Sequence, residues 1–186
     1  MHCFFVRPAK LVRACVFAFL FFAAGSLHAG NKPWAYIADA TKRFVVLPEF
    51  YNLAVLDRST GLIWTKEPHG AITHWTNAVS VCYINSVGAE PNGRHGIAGW
   101  RLPRPSELLS LLELRVSCSP GGCGASYELP AGHPFTLESN TLFWSSEPTL
   151  TDTASGEPGA WIVDVLGGGA IEHPREEDAG VWCVRG

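Results

Sequence analysis

Gly99-Trp100-Arg101-Leu102-Pro103-Arg104-Pro105-Ser106-Glu107-Leu108-Leu109 is the stretch whose reading decides the fold. Pro103 and Pro105 bar a helix before them, and Pro105 suits a first helical position, where its missing N–H costs nothing. Glu107 then falls in the first turn, where a negative charge suits the helix dipole. Leu108, Leu111 and Leu112 recur at the spacing of one buried face. The stretch therefore predicts a packed loop that runs into an amphipathic helix.

Upstream of it, Trp75, Ala78, Val79, Cys82 and Ser86 trace a helical stripe over 74–87, stopped by Gly88. A turn containing Glu90-Pro91-Asn92-Gly93 joins this first helix to Trp100. Earlier still, 44–47, 53–56 and 62–64 are short apolar runs parted by Pro48, Asn52 and Ser59-Thr60-Gly61, which predicts an antiparallel meander with a tight turn over 57–61. Downstream, periodicity fails from 116 to 141, so a long irregular loop is expected there. Within it, Cys118 and Cys123 flank Pro120-Gly121, and the ends of that short turn are close enough for a disulfide. Strands resume at 142–146, 161–165, 170–173 and 181–185, with loops at 147–159 and 174–180. Strands, two helices, then strands give an α+β domain, its helices packed on an antiparallel sheet.

The ends of the chain bear on location and charge. Arg7, Lys10 and Arg13 precede an apolar run from Ala14 to Ala24 and the small residues before Gly30, so 1–29 reads as a signal peptide. The run is shorter than the roughly 20 residues that cross a bilayer, which predicts an exported protein with no membrane span after cleavage. Cys15 stands at the start of that run and is not a lipid site. Residues 30–42 read as an N-terminal arm and 43–186 as one domain. Without the leader, 11 basic face 17 acidic residues, a net charge of -6 that disfavours nucleic acid. Cys82, Cys118, Cys123 and Cys183 remain, an even number that reads as two disulfides.

Four ordered elements carry a resemblance: Thr60-Gly61-Leu62-Ile63-Trp64; Trp100-Arg101-Leu102-Pro103 with Glu107-Leu108; Phe143-Trp144-Ser145-Ser146; and Trp161 in a strand before the closing Cys183-Val184-Arg185. Together they resemble the Lcl C-terminal domain family, a bacterial family of unknown function. The framework so marked is Gly61, Trp64, Trp100, Arg101, Leu102, Pro103, Glu107, Trp144 and Trp161. A Ser or Thr usually follows the Leu-Pro in that family; Arg104 replaces it here and removes a helix cap worth about 1 kcal/mol. The resemblance implies a C-type-lectin-like fold, stapled by disulfides and carrying long loops. In that fold the first helix is tied to the last strand, and Cys82 and Cys183 stand in those positions. Pairing Cys82 with Cys118 or Cys123 instead would undo the short Cys118–Cys123 loop.

Candidate chemistry is sparse. Glu90-Pro91-Asn92 matches a calcium-holding triplet of sugar-binding lectins of this fold, yet it precedes the second helix and lacks the Trp-Asn-Asp element, so it reads as a turn. No cofactor is expected, and calcium is unsupported. Glu172, Glu176, Glu177 and Asp178 with His173 read as a solvated rim, while His69 and His74 lack a third ligand. Ser145 and Ser146 sit in no nucleophile turn, and oxidised cysteines cannot act as nucleophiles, so no enzyme is expected. The tryptophans read as packing. Alternation points Trp182 away from the face of Cys183, which makes it, with Trp34 of the arm, a candidate for an exposed recognition surface. Arg94, Arg101 and Arg104 are candidates for a local basic patch. Some relatives bind sulfated polysaccharide, a ligand that the net charge of -6 disfavours here.

The reading is thus a non-enzymatic binding module of the periplasm, cell surface or exterior. It would recognise a carbohydrate or another surface ligand through variable loops, and Arg94, Arg104, Trp182, Glu172 and His173 are its candidate ligand surface. Its partner would be an extracellular glycan or a surface protein, and an oligomer is possible. The alternatives are an assembly subunit of a bacterial surface or adhesion apparatus and, third, an enzyme of unknown substrate.

Overall fold

The first sheet grows from one side chain. Asp57 accepts the Ser59 N–H at 2.9 Å and the Thr60 hydroxyl at 3.0 Å, and its carbonyl accepts the Gly61 N–H at 2.7 Å. Gly61 stands at φ 78°, a conformation that costs glycine little and other residues more. The chain reverses there, and two short apolar runs pair across the turn.

The structure is a computed structural model that describes residues 34–84, 97–137, 141–150 and 156–186. The leader, the end of the first helix with Ser86 and Gly88, the Glu90-Pro91-Asn92 turn, Arg94, and parts of the loops at 116–141 and 147–159 lie outside the described residues. In chain order the elements begin with the single turn α1 (Ala40–Arg43), β1 (Phe44–Val46), a 3-10 turn at Pro48–Phe50, β2 (Ala54–Asp57), β3 (Ile63–Thr65) and β4 (His69–Thr73). Next come α2 (Trp75–Ile84), α3 (Pro105–Ser110), β5 (Glu113–Ser119) and β6 (Gly122–Glu128). The chain closes with β7 (Leu142–Pro148), β8 (Gly159–Asp164), β9 (Gly169–Pro174), β10 (Ala179–Val181) and β11 (Val184–Arg185). One sheet runs β1-β2-β3-β11 and the other β4-β10-β7-β8-β9, with β5-β6 a separate hairpin. The fold is α+β, and its sheets are not purely antiparallel: β10 runs parallel to β7.

Two expectations need correction, and one strand, at 69–73, has no counterpart in the sequence reading. The run at 181–185, read as one strand, is two strands in two sheets, because Trp182 and Cys183 cross from one sheet to the other between them. The irregular loop expected from 116 begins as a hairpin, with Cys118 directly opposite Cys123. Leu114 and Val116 do alternate with Arg115 and Ser117, but the strands are almost wholly exposed, so no core deepens the pattern into a readable signal. His69–Thr73 is a strand whose His-Gly-Ala-Ile-Thr sequence has no apolar alternation; it forms by pairing with β10.

Alternation along the strands feeds two apolar cores. Val55, Trp64, Phe143, Val163, Trp182 and Val184 belong to one, with Leu108 of α3 and Leu111 just past its end. Ala54, Trp144, Ile162, Val181 and Cys183 belong to the other, with Ala78 and Cys82 of α2 and with Trp100 and Leu102. Trp182 does point away from the side of Cys183, but it is not exposed, since both sides are covered and the indole is fully buried. Its N–H donates to the Thr65 carbonyl at 2.9 Å, and its ring meets those of Trp64, Phe135 and Phe143 at centroid distances of 5.1–5.5 Å. In α2, Ala78 and Cys82 are buried as the stripe requires, whereas Val79 faces out and is 41% exposed.

Two disulfides staple the domain. Cys82–Cys183 spans 101 residues and joins α2 to the crossing between β10 and β11, with Cα atoms 5.5 Å apart. Cys118–Cys123 closes the hairpin tip. In the chain-entropy model the long link is worth about 4.7 kcal/mol and the short one about 2 kcal/mol. Replacing both Cys82 and Cys183 by Ala should therefore lower unfolding free energy in urea at least twice as much as replacing Cys118 and Cys123. Equal losses would show that the crossing does not need its staple.

Candidate functional site

The Trp100 stretch folds into a clasp. Trp100 is buried, with its N–H on the Ile97 carbonyl at 2.7 Å, and Leu102 and Pro103 are buried behind it. The Pro103 carbonyl accepts the Ser146 N–H at 2.7 Å, which joins this loop to β7. Arg101 pairs its backbone with Val184 in both directions and holds Glu107 in a two-pronged grip at 2.7 and 2.8 Å. Glu107 also accepts the Arg104 N–H at 2.7 Å, so half of a capping box survives. The Arg104 side chain itself makes no cap, because a guanidinium has no acceptor. Burial opposes ionisation of Glu107, but hydrogen bonds from Arg101 and the Arg104 amide, with both positive charges nearby, hold its carboxyl below the ordinary range. Hydrogen bonding to Glu107 also raises Arg101.

A second charged pair lies beneath. Arg43 donates to both oxygens of Asp57 at 2.9 and 2.8 Å and to the Ser110 carbonyl at 2.6 Å, and both side chains are almost fully buried. It ties the end of α1, the end of β2 and the end of α3 together. Sequence reading missed the pair: Asp57 reads as a turn residue, and nothing local marks Arg43 as buried.

Above this pair opens a cleft of about 450 Å³. One wall is the arm, with Trp34 and Tyr36 51% and 75% exposed. The Ala35 N–H donates to the Ser59 carbonyl and the Ile37 N–H to the Ser59 hydroxyl, which anchors the arm to the β2–β3 turn. Ser59 and Thr60 line the floor with Arg43, and Ser106, Leu109 and Ser110 of α3 make the opposite wall. A second cleft, of about 580 Å³, lies between the start of α2 and the acidic loop, lined by Thr76, Glu157, Pro158 and residues 174–177. Arg175 stacks there on Trp75, 4.7 Å from its ring centroid, and donates to the Gly159 and Thr149 carbonyls.

The candidate ligand surface is not gathered into one site. Arg104 is exposed at the start of α3, Trp182 is in the core, and Arg94 lies outside the described residues. Glu172 and His173 are neighbours on β9 and so face opposite ways, with the His173 ring 5.3 Å from that of Trp144. None of Arg104, Trp182, Glu172 and His173 lines either cleft. Arg101, a member of the expected basic patch, is engaged by Glu107. Of the framework residues, Trp64 and Trp144 are fully buried and Trp161 half-buried. Trp144 donates to the Thr73 carbonyl at 2.6 Å, but the buried Trp64 N–H has no partner among the described residues. His74 stands 3.7 Å from Glu176 and 3.5 Å from Asp178, and among the described residues no three or more His, Cys, Asp or Glu form a metal-holding group. Of the cleft residues, sequence reading singled out Trp34 alone as exposed; the alternation Trp34-Ala35-Tyr36 was the signal available for Tyr36.

These features define a two-disulfide α+β domain with a buried-tryptophan framework. Residues 53–185, well over half the chain, match the Lcl C-terminal domain, and the chain belongs to that family. Membership points to a surface- or adhesin-related module. Neither the curated proteins nor the solved structures contain a match. The two disulfides are consistent with an exported protein, and among the described residues no helix is long and apolar enough to cross a membrane.

Two outcomes follow from the charged pairs. Because the Glu107 carboxyl is held low, its contribution to stability is present above the ordinary carboxylate range and is lost as pH falls through the lowered value. Thermal melts should therefore drop more steeply between about pH 5 and pH 3 for the wild type than for Glu107→Gln; parallel slopes would remove the clasp from acid stability. Asp57→Ala strands a buried guanidinium and should cost about 3–5 kcal/mol in urea unfolding. A loss below about 1 kcal/mol, the size of a surface pair, would mean that Arg43 finds water instead.

Proposed function

We propose that this protein is an exported, non-enzymatic binding module of the surface or adhesin type, built on a C-type-lectin-like fold, and that its ligand is a carbohydrate. The tie from the first long helix to the segment between the last two strands supports that fold. The observation that carries the function is the cleft of the arm and α3, where exposed aromatic rings face serine and threonine hydroxyls around a preformed hollow. Its volume falls within the roughly 300–1,000 Å³ of small-molecule sites, and its mixture of apolar wall and a few fixed polar groups is what such sites use. The reading as a binding module rather than a catalyst draws on the cysteines, all four of which in the described residues are oxidised.

The assembly-subunit alternative draws on the β5–β6 hairpin. Leu114 lies opposite Tyr127 and Val116 opposite Ala125, so these residues share one face, and Leu114, Val116 and Tyr127 are 41–63% exposed. A glycan array probed with the purified, oxidised protein, with and without a chelator, separates the two readings. Binding that survives the chelator is the expected result. Silence on every glycan, together with a stable partner chain on size analysis, would transfer the function to assembly.

A further inference from the structure

The charge and hydroxyl geometry of the cleft identifies its ligand more closely. Resting on the carbohydrate reading above, we infer that the cleft takes an uncharged, unsulfated sugar ring stacked on Trp34, and that the arm selects this ligand.

The charged lining residue is Arg43, and its guanidinium is already committed to Asp57 and the Ser110 carbonyl, with the residue only 2% exposed. A sulfate or carboxylate entering the cleft would lose water and find, among the described residues that line it, no uncommitted positive side chain. The acidic excess of the chain, 17 Asp and Glu against 14 Lys and Arg even with the leader counted, further repels a polyanion.

The hydroxyls, by contrast, keep matched capacity. Ser59 accepts from the Ile37 N–H, which leaves its own O–H to donate. Ser110 donates to the Glu107 carbonyl at 2.6 Å, which leaves its oxygen to accept. A sugar hydroxyl both donates and accepts, so it can satisfy either partner. The ring's apolar C–H face needs an exposed aromatic surface, and Trp34 and Tyr36, two residues apart on the arm, supply it at the rim. Trp34, Tyr36 and Arg43 precede the span that matches the family, whereas Ser59, Thr60 and the α3 residues lie within it. The aromatic wall is therefore added to the family framework by the arm.

The test uses the full oxidised protein on an array carrying neutral oligosaccharides of glucose, mannose and N-acetylglucosamine beside heparin and chondroitin sulfate, followed by titration with the best ligand. A neutral glycan should be retained and the sulfated chains should pass. Trp34→Ala should weaken binding about tenfold, and Trp34→Phe should restore most of it. Melting temperatures of both variants should match the wild type, since Trp34 is half exposed. Salt-sensitive preference for heparin would overturn the neutral ligand. Unchanged affinity in Trp34→Ala, with neutral-glycan binding intact, would overturn the stacking site but leave the carbohydrate reading standing. Absence of binding to every glycan would overturn both.

Discussion

Everything in this domain hangs on the passage of residues 179–185 between two cores, and the Cys82–Cys183 bond holds that passage in place. Val181 ends a strand of one sheet and Val184 begins a strand of the other, so the two residues between them must cross. Trp182 fills one core and Cys183 anchors the other to α2. A slip of one residue would exchange those sides and drive the largest side chain of the segment into the wrong core, which is why register here is strongly specified. The bond limits how far the unfolded ends can separate; the tryptophan makes one register fit.

The two strong ion pairs serve the same end. Arg101–Glu107 fastens the loop before α3, whose backbone pairs with the last strand at Val184, to α3 itself, and Arg43–Asp57 fastens the first strands to the end of α3. Such pairs contribute less net stability than their short distances imply, since each ion gives up its water. Their geometric effect is larger: they fix where α3 stands against the β2–β3 turn, and so fix the width of the cleft above. The Arg43 guanidinium is committed to Asp57 and the Ser110 carbonyl within the protein. The indole N–H of Trp64, without a partner among the described residues, opposes stability at a cost of about 1–3 kcal/mol, while its ring packs edge-on against Trp182.

The cleft is made by parts that differ in how they are held. Its hydroxyl floor and α3 wall belong to the stapled framework, whereas its aromatic wall is tied by two hydrogen bonds from the arm to Ser59 and a long one, at 3.5 Å, from the Tyr36 hydroxyl to Glu113. Trp34 and Tyr36 belong to neither core, so they can vary without disturbing either. The hairpin behaves comparably: its disulfide tip and exposed strands contribute little to either core, so its sequence is free to serve a partner.

Much of the framework was legible because it rests on local chemistry. Pro105 and Glu107 announce the start of α3, Ser59-Thr60-Gly61 the reversal between β2 and β3, and the spacing of Ala78 and Cys82 the inner face of α2. The sequence by itself determined the α+β class, the family motifs and the even set of cysteines, since turn geometry, helix periodicity and oxidation depend on neighbours in the chain. Tertiary structure alone decided that Trp182 is buried, that 181–185 splits between sheets, that Arg43 meets Asp57, and that the arm and α3 enclose a cleft. Each depends on segments far apart in sequence arriving on both sides of one residue, and alternation along a strand says which way a side chain points without saying what covers it.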